Sequence, residues 1–165
     1  MSESCLRMSV GGLPPFSARD CQQILEPIEI AEVHRSVNGE MVTTVSRNHH
    51  KYKTTIRSQD KLPIAIDSLW IGQDVELGCI QRLWQKTDQN DLQLARPPVE
   101  GSVVALSQER QPIEVQQVQG QNVTLTSPGY VGYRPQLMMK IIDFGFETQE
   151  WGEGRTSWFL KLEEK

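Results

Sequence analysis

The sequence predicts a mainly β protein, an antiparallel sandwich or barrel with long hairpins and at most one short helix. Three observations carry this. Apolar and polar residues alternate with a period of two in several runs, glycines and prolines punctuate those runs, and helical periodicity is sustained nowhere.

The alternation is strongest near the C-terminus. Runs 137–146 and 156–162 flank Trp151-Gly152-Glu153-Gly154. Phe144 and Phe146 alternate with Asp143, Gly145 and Glu147, while Trp158, Leu160 and Leu162 alternate with Phe159, Lys161 and Glu163. Each run has the period of a half-buried strand, and the glycine pair supplies the reversal of a long closing hairpin.

Upstream, residues 1–23 show no period and carry Gly11-Gly12 and Pro14-Pro15. They read as an N-terminal arm, ordered only where it docks. A single β domain over 24–165 follows, in two β-rich halves joined by a polar, proline-ended loop at 85–98. Within it, residues 24–37 read as one loosely alternating strand and 40–46 as its partner. Asn38-Gly39 turns the chain between them, and both residues tolerate the positive φ of a type I′ turn. Residues 49–57 are β-branched and basic, another strand. Residues 63–70 open on proline and close before Gly72, which suits a helical turn or two. Residues 75–84 alternate and then change phase at Ile80, which predicts a bulge within one strand. Three short β runs at 102–106, 113–118 and 122–126, spaced about ten residues apart, suit a sandwich or barrel.

The bulk numbers exclude several classes. A length of 165 residues suits one domain with a real core. No apolar run approaches the roughly 20 residues of a spanning helix, so no membrane partner is expected. Residues 1–5 lack an apolar signal region, and three unevenly spaced cysteines suit reduced thiols in a cytoplasm. Asn122-Val123-Thr124 then matches a glycosylation sequon by chance.

The net charge of −4 is unevenly spread. Residues 47–61 hold Arg47, Lys51, Lys53, Arg57 and Lys61 against Asp60. Residues 143–165 hold six acids against three cations. Such a chain can attract copies of itself head to tail, although two unrelated solvated faces have the same composition.

No motif for catalysis is present: no GxSxG, phosphate loop, GxGxxG or HExxH. His34, His49 and His50 lack zinc-ligand spacing, since adjacent histidines on a strand face opposite ways. The expectation is no metal, no cofactor and no catalytic residue. Asp143, Glu147 and Glu150 could be imagined as a glycoside-cleaving pair, but one strand face suits solvent or an interface better than a cleft. Arg47, Lys51, Tyr52, Lys53 and Arg57 leave open a nucleic-acid-binding β-barrel, as an alternative. Trp151, between acids and glycine in a turn, reads as an interface anchor or as packed on its own sheet.

Several segments carry a resemblance: HRSVNGE, RNHHKYKTTI, LWIGQDVELGCI and the ending from GYRPQLMMKIIDFGFETQEWGEGRTSWFLKLEEK. Over 34–84 and 128–165 the chain resembles small ring-forming structural proteins of the tail tube end and baseplate of tailed bacteriophages, contractile ones foremost. The likeness is one of texture and order. It implies a tail-tube-like fold whose hairpins join those of neighbours in a ring, with hexamers as the expected assembly. Rings would stack with tube and baseplate hub proteins, DNA would pass only in transit, and the protein would belong to the virion after assembly in the host cytoplasm. Basic and acidic segments at opposite ends would then orient stacking. Expected interface residues are Asn38, Gly39, Arg47, Lys51, Lys53, Arg57, Glu147, Glu150, Trp151 and Arg155.

Overall fold

The computed structural model describes residues 3–28, 31–45, 50–152 and 154–165. Its first half contains β1 (Arg7–Met8), β2 (Gln22–Pro27), β3 (Ala31–Arg35), β4 (Met41–Val45), β5 (Tyr52–Asp60) and β6 (Asp74–Gly78), with one 3-10 turn at Ile66–Ser68. The second half adds β7 (Leu83–Thr87), β8 (Asp91–Gln93), β9 (Val104–Ser107), β10 (Pro112–Ile113), β11 (Val115–Gln119) and β12 (Asn122–Leu125). It ends with β13 (Gly129–Tyr133), β14 (Gln136–Thr148) and β15 (Thr156–Glu164). The protein is mainly β and every strand pairing described is antiparallel, as the alternation predicts.

The closing hairpin organises the large sheet, ordered β1-β6-β14-β15-β5-β2. Leu137, Met139 and Ile141 point inward on β14, as Trp158, Leu160 and Leu162 do on β15, with Ile141 facing Leu162. Between Ile141 and Asp143 the register slips by one residue. That bulge pushes Ile142 outward and returns Phe144 to the inner face, three positions after Ile141. A second core lies under the other sheets, around Leu94, Ala105, Val123, Leu125, Val131 and Tyr133. It belongs to a four-stranded sheet (β10-β9-β13-β7) and a three-stranded one (β11-β12-β8).

Several expectations need correction. The phase change at Ile80 is not a bulge. β6 ends at Gly78 in the large sheet and β7 begins at Leu83 in the other, so the chain changes sheets and its inward side is redefined. Residues 85–98 are not a plain loop, because β7 runs through Thr87 and β8 occupies Asp91–Gln93. These polar strands were hidden because only Thr87 and Leu94 are buried in that stretch. Residues 24–37 divide into β2 and β3, in separate sheets. β13 lies outside every run whose alternation marks a strand. Its two glycines, Gly129 and Gly132, mask a central strand: a Cβ would strike the Leu106 backbone at the first and the Trp84 ring at the second.

The Asn38-Gly39 reversal is present, but its geometry differs. Gly39 has φ of 81° and Asn38 is not left-handed. Gly39 donates to Ser36 O and Ser36 to Glu40 O, both at 2.8 Å, which makes a three-residue loop with a glycine bulge rather than a type I′ turn. At Gly120-Gln121, by contrast, glycine leads a two-residue loop between β11 and β12 with φ of 57°.

The arm docks on its own chain. β1 adds to β6, Leu6 and Ala18 enter the large core, and the Trp158 indole donates to Ser17 O at 2.8 Å. Arg19 then forks onto Asp60, from Nη2 at 2.6 Å and Nε at 3.1 Å. A backbone seam gathers the end of β6, the stretch at 97–99 and the link between β13 and β14. Cys79 N donates to Pro135 O, Val99 N to Arg134 O and Gln136 N to Pro97 O. At the end of β6, a Cβ on Gly78 would meet the Arg7 and Val99 side chains at 3.1 and 3.2 Å, so arm, sheet and seam converge closely at this glycine.

Candidate functional site

Antiparallel pairing brings the basic and acidic segments together. On the outer face of the large sheet, β14, β15, β5 and β2 lie side by side, so residues in register form rows. One row reads Gly145, Phe159, Arg57 and Gln22; the next reads Glu147, Ser157 and Gln59. A third reads Asp143, Lys161, Thr55 and Ile24, and a fourth Lys140, Glu163, Lys53 and Glu26. Cation thus faces acid across neighbouring strands. The expected polarity of basic and acidic segments at opposite ends is overturned for the described residues, because β5 pairs with β15 and sets the two segments side by side on one sheet.

Two of these rows border a shallow groove of about 700 Å³. Phe159 forms its floor, with its ring edge over Gly145, where a Cβ would sit 2.7 Å from the ring. Arg57, Gln59, Glu147, Ser157 and Lys161 line it from the sheet, and Asp20 and Gln22 close one side.

Eight of the ten expected interface residues fall into three groups. Asn38 and Gly39 stand exposed at the tip of the β3–β4 ribbon, which among the described residues pairs only with itself. Every described side chain of its two strands is exposed, including Val33, Met41 and Val42, and the loop adds Val37. Arg57, Glu147 and Lys53 lie on the sheet's outer face, the first two in the groove. Glu150, Trp151 and Arg155 are exposed at the turn of the closing hairpin. Trp151 does not fold back on its own sheet: it is 91% exposed. Lys51, half-buried, accepts a bond from Ile28 N through its carbonyl. Arg47, His49 and the first part of the basic segment lie outside the described residues.

Some surfaces had no sequence signal. β14 pairs with β6 only through Lys140, and Ile141 then bonds to Gly72 and Gln73. Over 142–148 the strand has β15 on one side and no described strand on the other. Exposed Trp70, Ile71 and Phe146 accompany this stretch, and Trp70 meets Phe144 edge-on at 6.4 Å.

The titratable groups serve structure. The Arg19 fork holds the Asp60 carboxyl well below the usual range. Burial pushes Cys21 and Cys79 up to about 11, so neither is a thiolate at neutral pH. Lys165 and Lys140 together lower Asp74. Tyr52, the one aromatic of the basic segment, already lies beneath the Arg96 guanidinium at 4.7 Å. Among the described residues no group of three or more His, Cys, Asp or Glu could hold a metal. No family model, curated protein or solved structure matches the chain.

Proposed function

We propose that this chain is a structural subunit of a ring in the tail or baseplate of a tailed phage. It associates with copies of itself, as a hexamer, and stacks on neighbouring tube and hub proteins without catalysis. It assembles in the host cytoplasm and ends in the virion, with DNA passing only through the channel.

One observation carries this reading: the β3–β4 ribbon, exposed on both faces. A two-stranded ribbon is marginal in water by itself, and one bearing Val33, Val37, Met41 and Val42 gains its stability from something that covers it. The open stretch of β14 offers the matching deficiency, unpaired backbone beside apolar side chains. A heterologous contact between two such surfaces closes into a ring when its rotation permits. Asn38, Gly39, Glu150 and Trp151 fall in this contact set, whereas Arg57 and Glu147 belong to the groove.

The test is assembly. The chain is expressed with its neighbouring tail proteins, intact or with residues 33–43 replaced by a short glycine-serine link, and particles are followed by sedimentation and electron microscopy. Rings form with the intact chain and fail with the shortened one, whose fold persists. A chain that stays outside every assembly defeats the reading, as does a shortened chain that assembles normally.

A further inference from the structure

We propose that the groove over β14, β15 and β5 binds a neutral oligosaccharide chain. The inference goes beyond the assembly reading, since it is tested on the isolated chain.

Charge decides the ligand class first. Asp20 and Glu147 are balanced within the groove by Arg57 and Lys161, so it offers no net field to a polyanion or a polycation. The remaining polar lining residues are Gln22 and Gln59, with their carboxamides, and Ser58 and Ser157, with their hydroxyls; the buried Ser58 hydroxyl has no partner among the described residues. Each both donates and accepts, and so matches sugar hydroxyls, which do the same. Arg57 adds a planar fork suited to two neighbouring oxygens.

The floor supplies the apolar half. Phe159 lies beside Gly145, and with no Cβ there the ring is lowered against the backbone. Between polar walls it offers an apolar surface with Lys161 Nζ 5.8 Å from the ring centroid, so a pyranose would set its C–H face on the ring and a hydroxyl on the ammonium. The volume lies within the range of ligand clefts. Being open and set across three strands, the groove suits a few units of an extended chain.

Amide spectra of the 15N-labelled full chain, titrated separately with chitohexaose, cellohexaose and maltoheptaose, test the proposal. At least one sugar is expected to give saturable shifts at the amides of Gly145, Ser157 and Phe159, unchanged by added salt. Phe159→Ala weakens binding about tenfold or more, equivalent to about 1.4 kcal/mol. Because Phe159→Ala could loosen the hairpin, Gln59→Ala, an exposed change, is expected to weaken binding severalfold with an otherwise unaltered spectrum. No shift with any of the three sugars overturns the proposal. So do shifts indifferent to both variants, or affinity that falls steeply with salt. Concentration-dependent broadening of the groove amides without sugar also overturns it, since a second copy then fills the groove.

Discussion

Arg96 clamps Glu164 with two parallel bonds, Nε to Oε1 at 2.8 Å and Nη2 to Oε2 at 2.9 Å. The same guanidinium reaches His50 O and covers the Tyr52 ring. Arg96 lies on the strand-free stretch after β8, and Glu164 ends β15, so this pair ties the second half to the large sheet. Both side chains are about 15% exposed, and water competes little with the fork. Arg96→Lys keeps the charge but cannot span both oxygens. The expected loss is about 2 kcal/mol. Urea unfolding followed at Trp84 and at Trp158 is expected to coincide in the wild type and to separate in the variant.

Three strand glycines are predicted to rank by what a methyl would strike. At Gly129 the Cβ would lie 2.0 Å from Leu106 O, a backbone atom of β9 that moves only if the pairing breaks. At Gly132 and Gly145 it would meet the Trp84 and Phe159 rings at 2.8 and 2.7 Å, and both side chains can swing outward. Gly129→Ala is expected to cost more than about 4 kcal/mol, and the other two about 1 kcal/mol each. Calorimetric melting of the three variants checks the order. A Gly129→Ala protein as stable as Gly145→Ala would show that β9 and β13 are not packed this closely.

Trp158 holds the arm, and Trp158→Phe keeps an aromatic ring in the core but deletes the donor to Ser17 O together with part of the buried ring volume. The orphaned carbonyl is buried with Ser17, and the expected cost is about 1–2 kcal/mol. The effect concentrates at the arm, so trypsin cleavage after Arg7 and Arg19 accelerates more than cleavage elsewhere. Uniform acceleration would mean that the arm is held by other contacts.

How legible this was depended on what each residue had to bury. The closing hairpin was plain because Trp158, Leu160 and Leu162 bury their side chains on a strict alternation. Its bulge was not, since Ile142 is as apolar as its inward neighbours and only cross-strand register reveals it as the extra residue. β8 and β13 escaped notice for opposite reasons: the first is mostly polar and exposed, and the second has glycines where backbone and Trp84 crowd. The candidate site was half legible. The charges of Arg57, Lys161 and Glu147 stand out in the sequence, but their meeting around Phe159 follows from pairings separated by about a hundred residues. The docked arm had no local signal at all, because Arg19 and Asp60 are 41 positions apart.

That distant pair yields a pH prediction. Asp60 is 4% exposed and accepts two bonds from the Arg19 side chain and one from its backbone N. In the unfolded chain the carboxyl has its ordinary value near about 4, while in the folded protein it lies well below. The folded state therefore releases this proton more readily, and stability from the pair is full above the unfolded value. It drains as pH falls from about 4 towards the lowered folded value. Arg19→Gln removes the fork, so the variant is less stable than wild type at neutral pH, and the gap narrows from about pH 4 downward. Urea midpoints at half-unit steps between about pH 7 and about pH 2 check this. A gap that stays constant over that range would show that Arg19 acts by packing alone, with no hold on the Asp60 proton.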